Sequence, residues 1–393
     1  MSTSRPRIRD LGYSPGKFRP GAKNSILDVE GVKVGQVTIH EGTDIHTGLT
    51  VIMPRGARDT PHVPCYAATH DLNGMGELTG THGLTEWGFI NGPIGLTNTI
   101  SVGKVYDGIG LWQLEQRFKH TETDLEAFRR YSIPVVGETF DGLLNDISAS
   151  VVDKETVYAA IDASESQDEV LEGNYGGGTA MRCHGYKGGT GTSSRIVPGV
   201  EKDYTLGVLV QANHGQKKDL RIGNVPIGEL LDKEEMLAEG QSTEGAPTLP
   251  VGGKAAEGSI IVVVITDAPL LPHQLRRIAQ HAGMGITQVG GHSAGRNYSG
   301  EIFLALSTGT SPNELVTASS GFDYLPPLEC QDVQTLKNEA IDSLFYAVSE
   351  ATEEAILNAL CKAEPLKGFK DRMQPAMPVD RVRELLEKHV VKV

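Results

Sequence analysis

Apolar and polar positions alternate with period two from Gly31 to Ile39, GVKVGQVTI, the pattern of a half-buried strand. Thr47 to Pro54, TGLTVIMP, repeats the pattern after a polar loop and predicts a hairpin. Residues 70–106 are dense in Gly, Asn and Thr and read as loops and short strands. A helical period begins at Leu111 and runs to Phe128, with Leu114 and Phe118 four apart. Asp153 is a candidate N-cap for a second helix that carries Val157, Ala160 and Ile161 on one face. YTLGVLVQANHG, Tyr204 to Gly215, is a strand that ends in polar residues. SIIVVVITD, Ser259 to Asp267, is apolar on both sides, as expected of a strand covered on both faces. A helix follows, with Pro272 near its start, Leu271, Leu275, Ile278, Ala279 and Ala282 on one face, and Gly283 as the expected stop. Ser299 to Gly309 reads as another strand, Asp332 to Ala363 as a long helix with an apolar stripe, and Val379 to His389 as a terminal amphipathic helix.

Residues 1–24 read as a polar arm over the surface, and residues 215–257 as an exposed connection leading directly to Gly258-Ser259. No repeat of fixed period and no boundary between two independent cores is visible, so residues 1–393 form one domain of layered α+β type.

Glycine sharpens this picture. Its 47 residues are about twice the ordinary share and have no collagen-like period, which implies many tight turns and close backbone approaches. A net charge of −14 argues against a nucleic-acid partner. The four cysteines, Cys65, Cys183, Cys330 and Cys361, show no CxxC and no disulfide framework, which fits a reducing, cytoplasmic setting. The N-terminus has no signal-peptide core, and the longest apolar run, Ile260 to Ile265, is too short to span a bilayer.

Gly291-His-Ser-Ala-Gly295 matches G-x-S-x-G, but a turn and a strand follow it where a nucleophile elbow needs a helix, so Ser293 reads as a loop serine. The twelve histidines show no HExxH or HxH spacing, and His70, His82, His214 and His292 read as structural or exposed; no metal is expected. No GxxxxGK[ST] occurs, and the Gly-rich stretches lack the context of a dinucleotide fingerprint. Ser259 directly after Gly258 is different. A serine hydroxyl needs a base, and a residue at a chain terminus carries one in its own α-amino group, with a pKa of about 7.7–8.0. Cleavage of the Gly258-Ser259 bond would create that base, and the strand behind it would hold the new terminus rigidly. On spacing alone this is the minority reading, because a Gly-Ser turn before a strand is common punctuation.

The segments NGMGELTGTHG (Asn73 to Gly83), PIGLTNTISVG (Pro93 to Gly103), VVGETFDGLLNDI (Val135 to Ile147), GGGTAMRCHGYKGGTGTSSR, GVLVQANHG, EGSIIVVVITDAPLLPHQL and SGEIFLALSTG jointly resemble one family. It is that of the L-aminopeptidase/D-amino-acid esterase-amidases and β-peptidyl aminopeptidases, the DmpA/BapA type. The resemblance spans Ser25 to Thr308, with a weaker helical tail. It implies a four-layer α/β/β/α sandwich, related in layout to N-terminal nucleophile hydrolases. It also implies a precursor that cleaves itself into residues 1–258 and 259–393, no cofactor, and a homo-oligomer, with a tetramer as one form. Short peptides, amino-acid amides or esters are the implied substrates.

Carried over position by position, the resemblance makes Gly258-Ser259 the scissile bond and Ser259 the nucleophile. Ser299 and Glu301 become the pair that orients it, Asn213 the oxyanion donor, and Glu138 the acid that binds the substrate's amino group. A preorganised amide suits a tetrahedral oxyanion, and a buried carboxylate suits an ammonium. Phe140 departs from the pattern: some relatives are expected to place an aromatic with a polar tip there, and a phenyl ring donates no hydrogen bond. Two rivals stand beside this reading. One is an acyltransferase of the ornithine-acetyltransferase type, which uses threonine after cleavage; the other is an uncleaved binding protein.

Overall fold

A computed structural model of the chain describes residues 5–119, 132–238, 258–290, 297–311, 328 and 330–390. Two sheets carry the fold. The first has four strands in the order β1 (Lys33–Glu41), β2 (Ile45–Met53), β5 (Ile94–Asn98) and β6 (Val135–Thr139). The second has six, in the order β4 (Phe89–Ile90), β3 (Cys65–Gly74), β12 (Gly300–Ser307), β11 (Ser259–Thr266), β10 (Tyr204–Asn213) and β9 (Gly189–Val197). Helices α1 (Val102–Phe118) and α2 (Lys154–Ser166) cover the four-stranded sheet. Helices α4 (Pro272–Gln288) and α5 (Asp342–Lys362) cover the six-stranded one; α3 (Ile227–Ala238) and α6 (Val379–His389) pack outside this frame. The layering is α/β/β/α.

β11 explains why the layers meet where they do. Ile260, Val262 and Val264 point to one face and join the core under α4 and α5. Ile261, Val263 and Ile265 point to the other and join Ile52, Ile94 and Leu96 between the sheets. All six are fully buried. At about 1.5–3 kcal/mol for each large apolar side chain removed from water, this strand anchors the sandwich. A third cluster, with Leu49, Val51, Ile109, Val157 and Ile161, fills the space under α1 and α2. Asp153 caps α2 as its sequence predicts, its carboxylate accepting the Thr156 N–H at 2.9 Å.

Several elements differ from the sequence reading. α1 starts at Val102, nine positions before the expected Leu111. Residues 120–131 lie outside the description, and with them the expected end of that helix at Phe128. Gly108 stands inside α1 because a Cβ there would lie 2.8 Å from Val157 of α2; the glycine permits close helix packing. Gly283 does not stop α4, which runs on to Gln288. The long C-terminal helix begins at Asp342, ten residues after Asp332. Residues 215–238 are no open connection: Leu220, Ile222 and Ile227 are fully buried, and α3 occupies the rest. Residues 239–257 lie outside the description. The N-terminal arm is anchored as well, with Ile8 and Leu11 buried and Arg9 in a two-point pair with Glu354 at 2.6 and 2.7 Å.

Candidate active site

Ser259 is the first residue of β11. Antiparallel pairing sets it opposite Asn213, the last residue of β10. On its other side β12 runs parallel, with Ile260 opposite Glu301. Ser259, Asn213 and the Ser299–Glu301 pair therefore stand at one end of three adjacent strands. Ser259 is 8% exposed and Asn213 6%, so the row is nearly closed to solvent.

Gly258 fits here for a steric reason. A Cβ on it would lie 1.7 Å from the Asn213 carbonyl oxygen, so no side chain fits. Its backbone is not left-handed, and close approach rather than unusual dihedrals requires the glycine.

Asn213 is held at both ends of its amide. The Arg182 backbone N–H donates to Oδ1 at 2.8 Å, which fixes the flip. The amide nitrogen donates to the Phe140 carbonyl at 3.0 Å. An amide nitrogen has two hydrogens, so one remains to serve an oxyanion. Ser299 Oγ donates to a Glu301 carboxylate oxygen, and the Asn73 amide donates to the Ser299 carbonyl. Glu301 is fully buried, and the sequence bulges between it and Ile302 in the pairing with β3.

Glu138, on β6 of the facing sheet, is 5% exposed. Its carboxylate accepts the Glu77 backbone N–H at 3.1 Å and the Thr99 hydroxyl. Burial raises its pKa, against the lowering effect of those two donors. The Asn73–Gly76 turn brings it to the nucleophile's strand end. A Cβ on Gly76 would lie 3.3 Å from Glu138 Oε1 and 3.7 Å from the Gly300 Cα. Phe140 is 49% exposed and lines a small cleft with Leu143, Arg182, Gly185, Asn213, His214 and Gly258. Its carbonyl, not its ring, makes the contact to Asn213.

All seven residues singled out from the sequence thus fall in one region. Sequence reasoning missed Thr99, Asn73 and the backbone of Glu77 and Arg182, which hold the others. Asn73 and Glu77 lie in NGMGELTG and Thr99 in PIGLTNTISVG, so the segments were marked but the individual roles were not. His70 stacks on Phe303 at 5.9 Å, and His82 is exposed. Ser293 and His292 lie outside the described residues. Among the described residues one group brings three metal-capable atoms together: Cys183, His184 and His214, directly behind Asn213.

Comparison with known proteins places this geometry. The model of peptidase family S58 matches residues 24–374. The chain is 40% identical over 396 residues to the β-peptidyl aminopeptidase BapA of Sphingosinicella microcystinivorans, covering 99% of this chain and 93% of that protein. Among solved structures it resembles a β-aminopeptidase of a Burkholderia species, with TM-score 0.83, 36% identity, and 99% and 100% of the two chains covered. It also resembles the L-aminopeptidase D-Ala-esterase/amidase of Ochrobactrum anthropi, described as a prototype serine aminopeptidase and a variant of the Ntn hydrolase fold. There the TM-score is 0.81 and identity 37%, over 98% of this chain and 99% of that one. The match runs through both sheets and the strand end that carries Ser259: the chain belongs to peptidase family S58.

Proposed function

We propose that this chain is a self-processing serine aminopeptidase whose nucleophile is Ser259. The observation that carries the reading is the strand register that sets Ser259 beside Asn213 on one side and the Ser299–Glu301 pair on the other. In maturation Ser259 Oγ attacks the Gly258 carbonyl carbon. The Gly258 C–N bond breaks, an ester to Oγ forms, and the Ser259 nitrogen becomes a free amine. Water hydrolyses the ester, leaving the Gly258 carboxylate and the Ser259 hydroxyl. Residues 1–258 and 259–393 stay in one fold.

In turnover the Ser259 amine accepts the hydroxyl proton while Oγ attacks the carbonyl of the substrate's first residue. The free N–H of Asn213 stabilises the oxyanion. The leaving amine takes the proton from the Ser259 ammonium, and water, deprotonated by the same amine, releases the acyl group. Glu138 pairs with the substrate's ammonium and restricts the enzyme to free N-termini. Ser299 and Glu301 orient the nucleophile. Substrates on this reading are short peptides, amino-acid amides or esters. Among the described residues no helix is long and apolar enough to cross a membrane, and the cytoplasm and a homo-oligomeric state complete the proposal. The relatives found are aminopeptidases, which favours hydrolysis over acetyl transfer.

Intact mass of purified protein tests the reading. Two fragments divided after Gly258, and release of p-nitroaniline from an aminoacyl anilide, are expected. Ser259→Ala should give one chain without activity. A wild-type chain that remains whole and still hydrolyses the anilide refutes it.

A further inference from the structure

Behind Asn213 lies a group of side chains that the proposed chemistry does not use. Cys183 ends β7 (Arg182–Cys183), His184 follows it in the turn to β8 (Tyr186–Lys187), and His214 follows Asn213. Cys183 and His184 are fully buried and His214 nearly so. One ligand atom from each lies within 4.8 Å of the other two, and Cys183 Sγ is 3.9 Å from His214 Nδ1. A tetrahedral zinc site with ordinary bond lengths has ligand-to-ligand edges of about 3.3–3.8 Å, so the Cys183–His214 edge already nearly fits and the remaining edges must close by no more than about 1.5 Å.

Three features single the cluster out from ordinary buried histidines. First, His184 Nδ1 lies 3.1 Å from the Gln216 carbonyl, which can only accept. His184 is therefore the Nδ1–H tautomer, and its Nε2 presents a lone pair. A backbone carbonyl fixing the tautomer in this way is the usual outer-shell partner of a metal-bound histidine. Second, the Nε2 of His184 that carries this lone pair is buried without a hydrogen-bond partner. Third, the chain is shaped around the ring. His184 has a left-handed backbone, φ 47°, and Gly215 leaves the space its ring occupies, since a Cβ there would be 2.5 Å from Cε1.

We propose that Cys183, His184 and His214 form a site for a thiophilic cation of the zinc class. One thiolate and two imidazoles are the ligand chemistry that selects zinc over magnesium or calcium. The Cys183 thiol proton is released to solvent as the sulfur–metal bond forms, and a fourth position remains for water. The site ties together the two segments that grip Asn213, because Arg182 precedes Cys183 and donates to Asn213 Oδ1. Its role is to hold that clamp, and its existence does not depend on the aminopeptidase reading.

The test uses the full chain carrying Cys330→Ser, which removes the one exposed thiol. It is produced in zinc-supplemented medium, exchanged against a weak chelator and analysed for bound metal; a second sample is loaded with Co²⁺. About one zinc per chain is expected, with tetrahedral cobalt bands and a thiolate-to-cobalt charge-transfer band in the near ultraviolet. Cys183→Ala and His184→Gln should each weaken zinc retention at least tenfold against the chelator and remove the charge-transfer band. Absence of metal and of that band in the parent chain overturns the proposal, with no core variant needed. Full zinc stoichiometry in folded Cys183→Ala and His184→Gln overturns it too, by placing the metal elsewhere. If those variants do not fold, X-ray absorption on the zinc-loaded parent decides. One sulfur and two imidazole nitrogens support the site, and any sulfur-free shell refutes it.

Discussion

Glu138→Gln separates substrate recognition from self-cleavage. Glu138 is nearly closed to solvent, and its carboxylate is held by the Glu77 N–H and the Thr99 hydroxyl. Burial already raises its pKa, so an ammonium placed against it relieves an unfavourable charge. Glutamine keeps the volume and one acceptor but removes the anion. Losing one partner of a buried, hydrogen-bonded charge pair costs about 2–5 kcal/mol, or about 30- to 5,000-fold in kcat/KM. Self-cleavage presents no free amine at that step, so processing of Glu138→Gln should proceed as in the wild type. The assay pairs intact mass with kcat/KM for an aminoacyl p-nitroanilide between pH 4 and 9. On the proposed mechanism two groups must lose a proton in the wild type, Glu138 and the Ser259 amine, so log kcat/KM should fall with slope two at the acid end and slope one in the variant. A fully processed Glu138→Gln within threefold of wild type, or an unchanged acid slope, refutes the placement of the ammonium.

Thr99→Val removes a donor that lowers the Glu138 pKa, so the steeper acid limb should move to higher pH; an unmoved limb counts against the contact. Gly258→Ala sets a methyl 1.7 Å from the Asn213 carbonyl, so processing should slow severely in a time course by mass, and processing at wild-type rate would sink the packing argument. Asp141 is buried, and desolvation raises its pKa to about 6. The folded state therefore binds that proton more tightly than the unfolded chain, and stability is lost as pH rises from about 4 through about 6. Going from pH 7 to pH 4, wild type should gain about 2 kcal/mol relative to Asp141→Asn in urea unfolding; a pH-independent difference refutes the shift.

What the sequence disclosed follows from where its signals are physically forced. β11 was legible because a strand between two apolar layers must be apolar at every position from Ile260 to Ile265. The Asp153 cap and Pro272 at the first turn of α4 are local chemistry and survive into the structure. Glycine misled. Gly283, the expected stop, lies inside α4, and Gly108 and Gly285 also lie inside helices, the latter two where a Cβ would sit 2.6–2.8 Å from a packed neighbour. Their purpose is set by α2 and α5, far away in sequence. The Cys183, His184 and His214 group was invisible for the same reason. Thirty residues separate its two parts, and the backbone bond from the His184 N–H to the His214 carbonyl, 2.7 Å, is what joins them. Ser259 needed the family resemblance, because Gly-Ser before a strand is ordinary by itself.

The sheet order explains how a chain can be cut at Gly258 and stay whole. β11 and β12 belong to residues 259–393, yet they lie at the centre of the six-stranded sheet, with β10 on one side and β3 on the other. Residues 206–213 pair with residues 259–266 along the full length of β11, and β12 pairs with β3 along most of its own. Separating the fragments would expose both faces of the strand pair and both of its edges, and with them most of the core. The same arrangement would divide the proposed site. Asn213 and Glu138 come from the first fragment, Ser259, Ser299 and Glu301 from the second, and Asn73 of the first holds Ser299 of the second. Fragments 1–258 and 259–393 expressed singly should therefore be inactive and poorly soluble, and co-expression should restore a Ser259 terminus already in place. Activity from either fragment alone would mean that the strands beside Ser259 do not build the site.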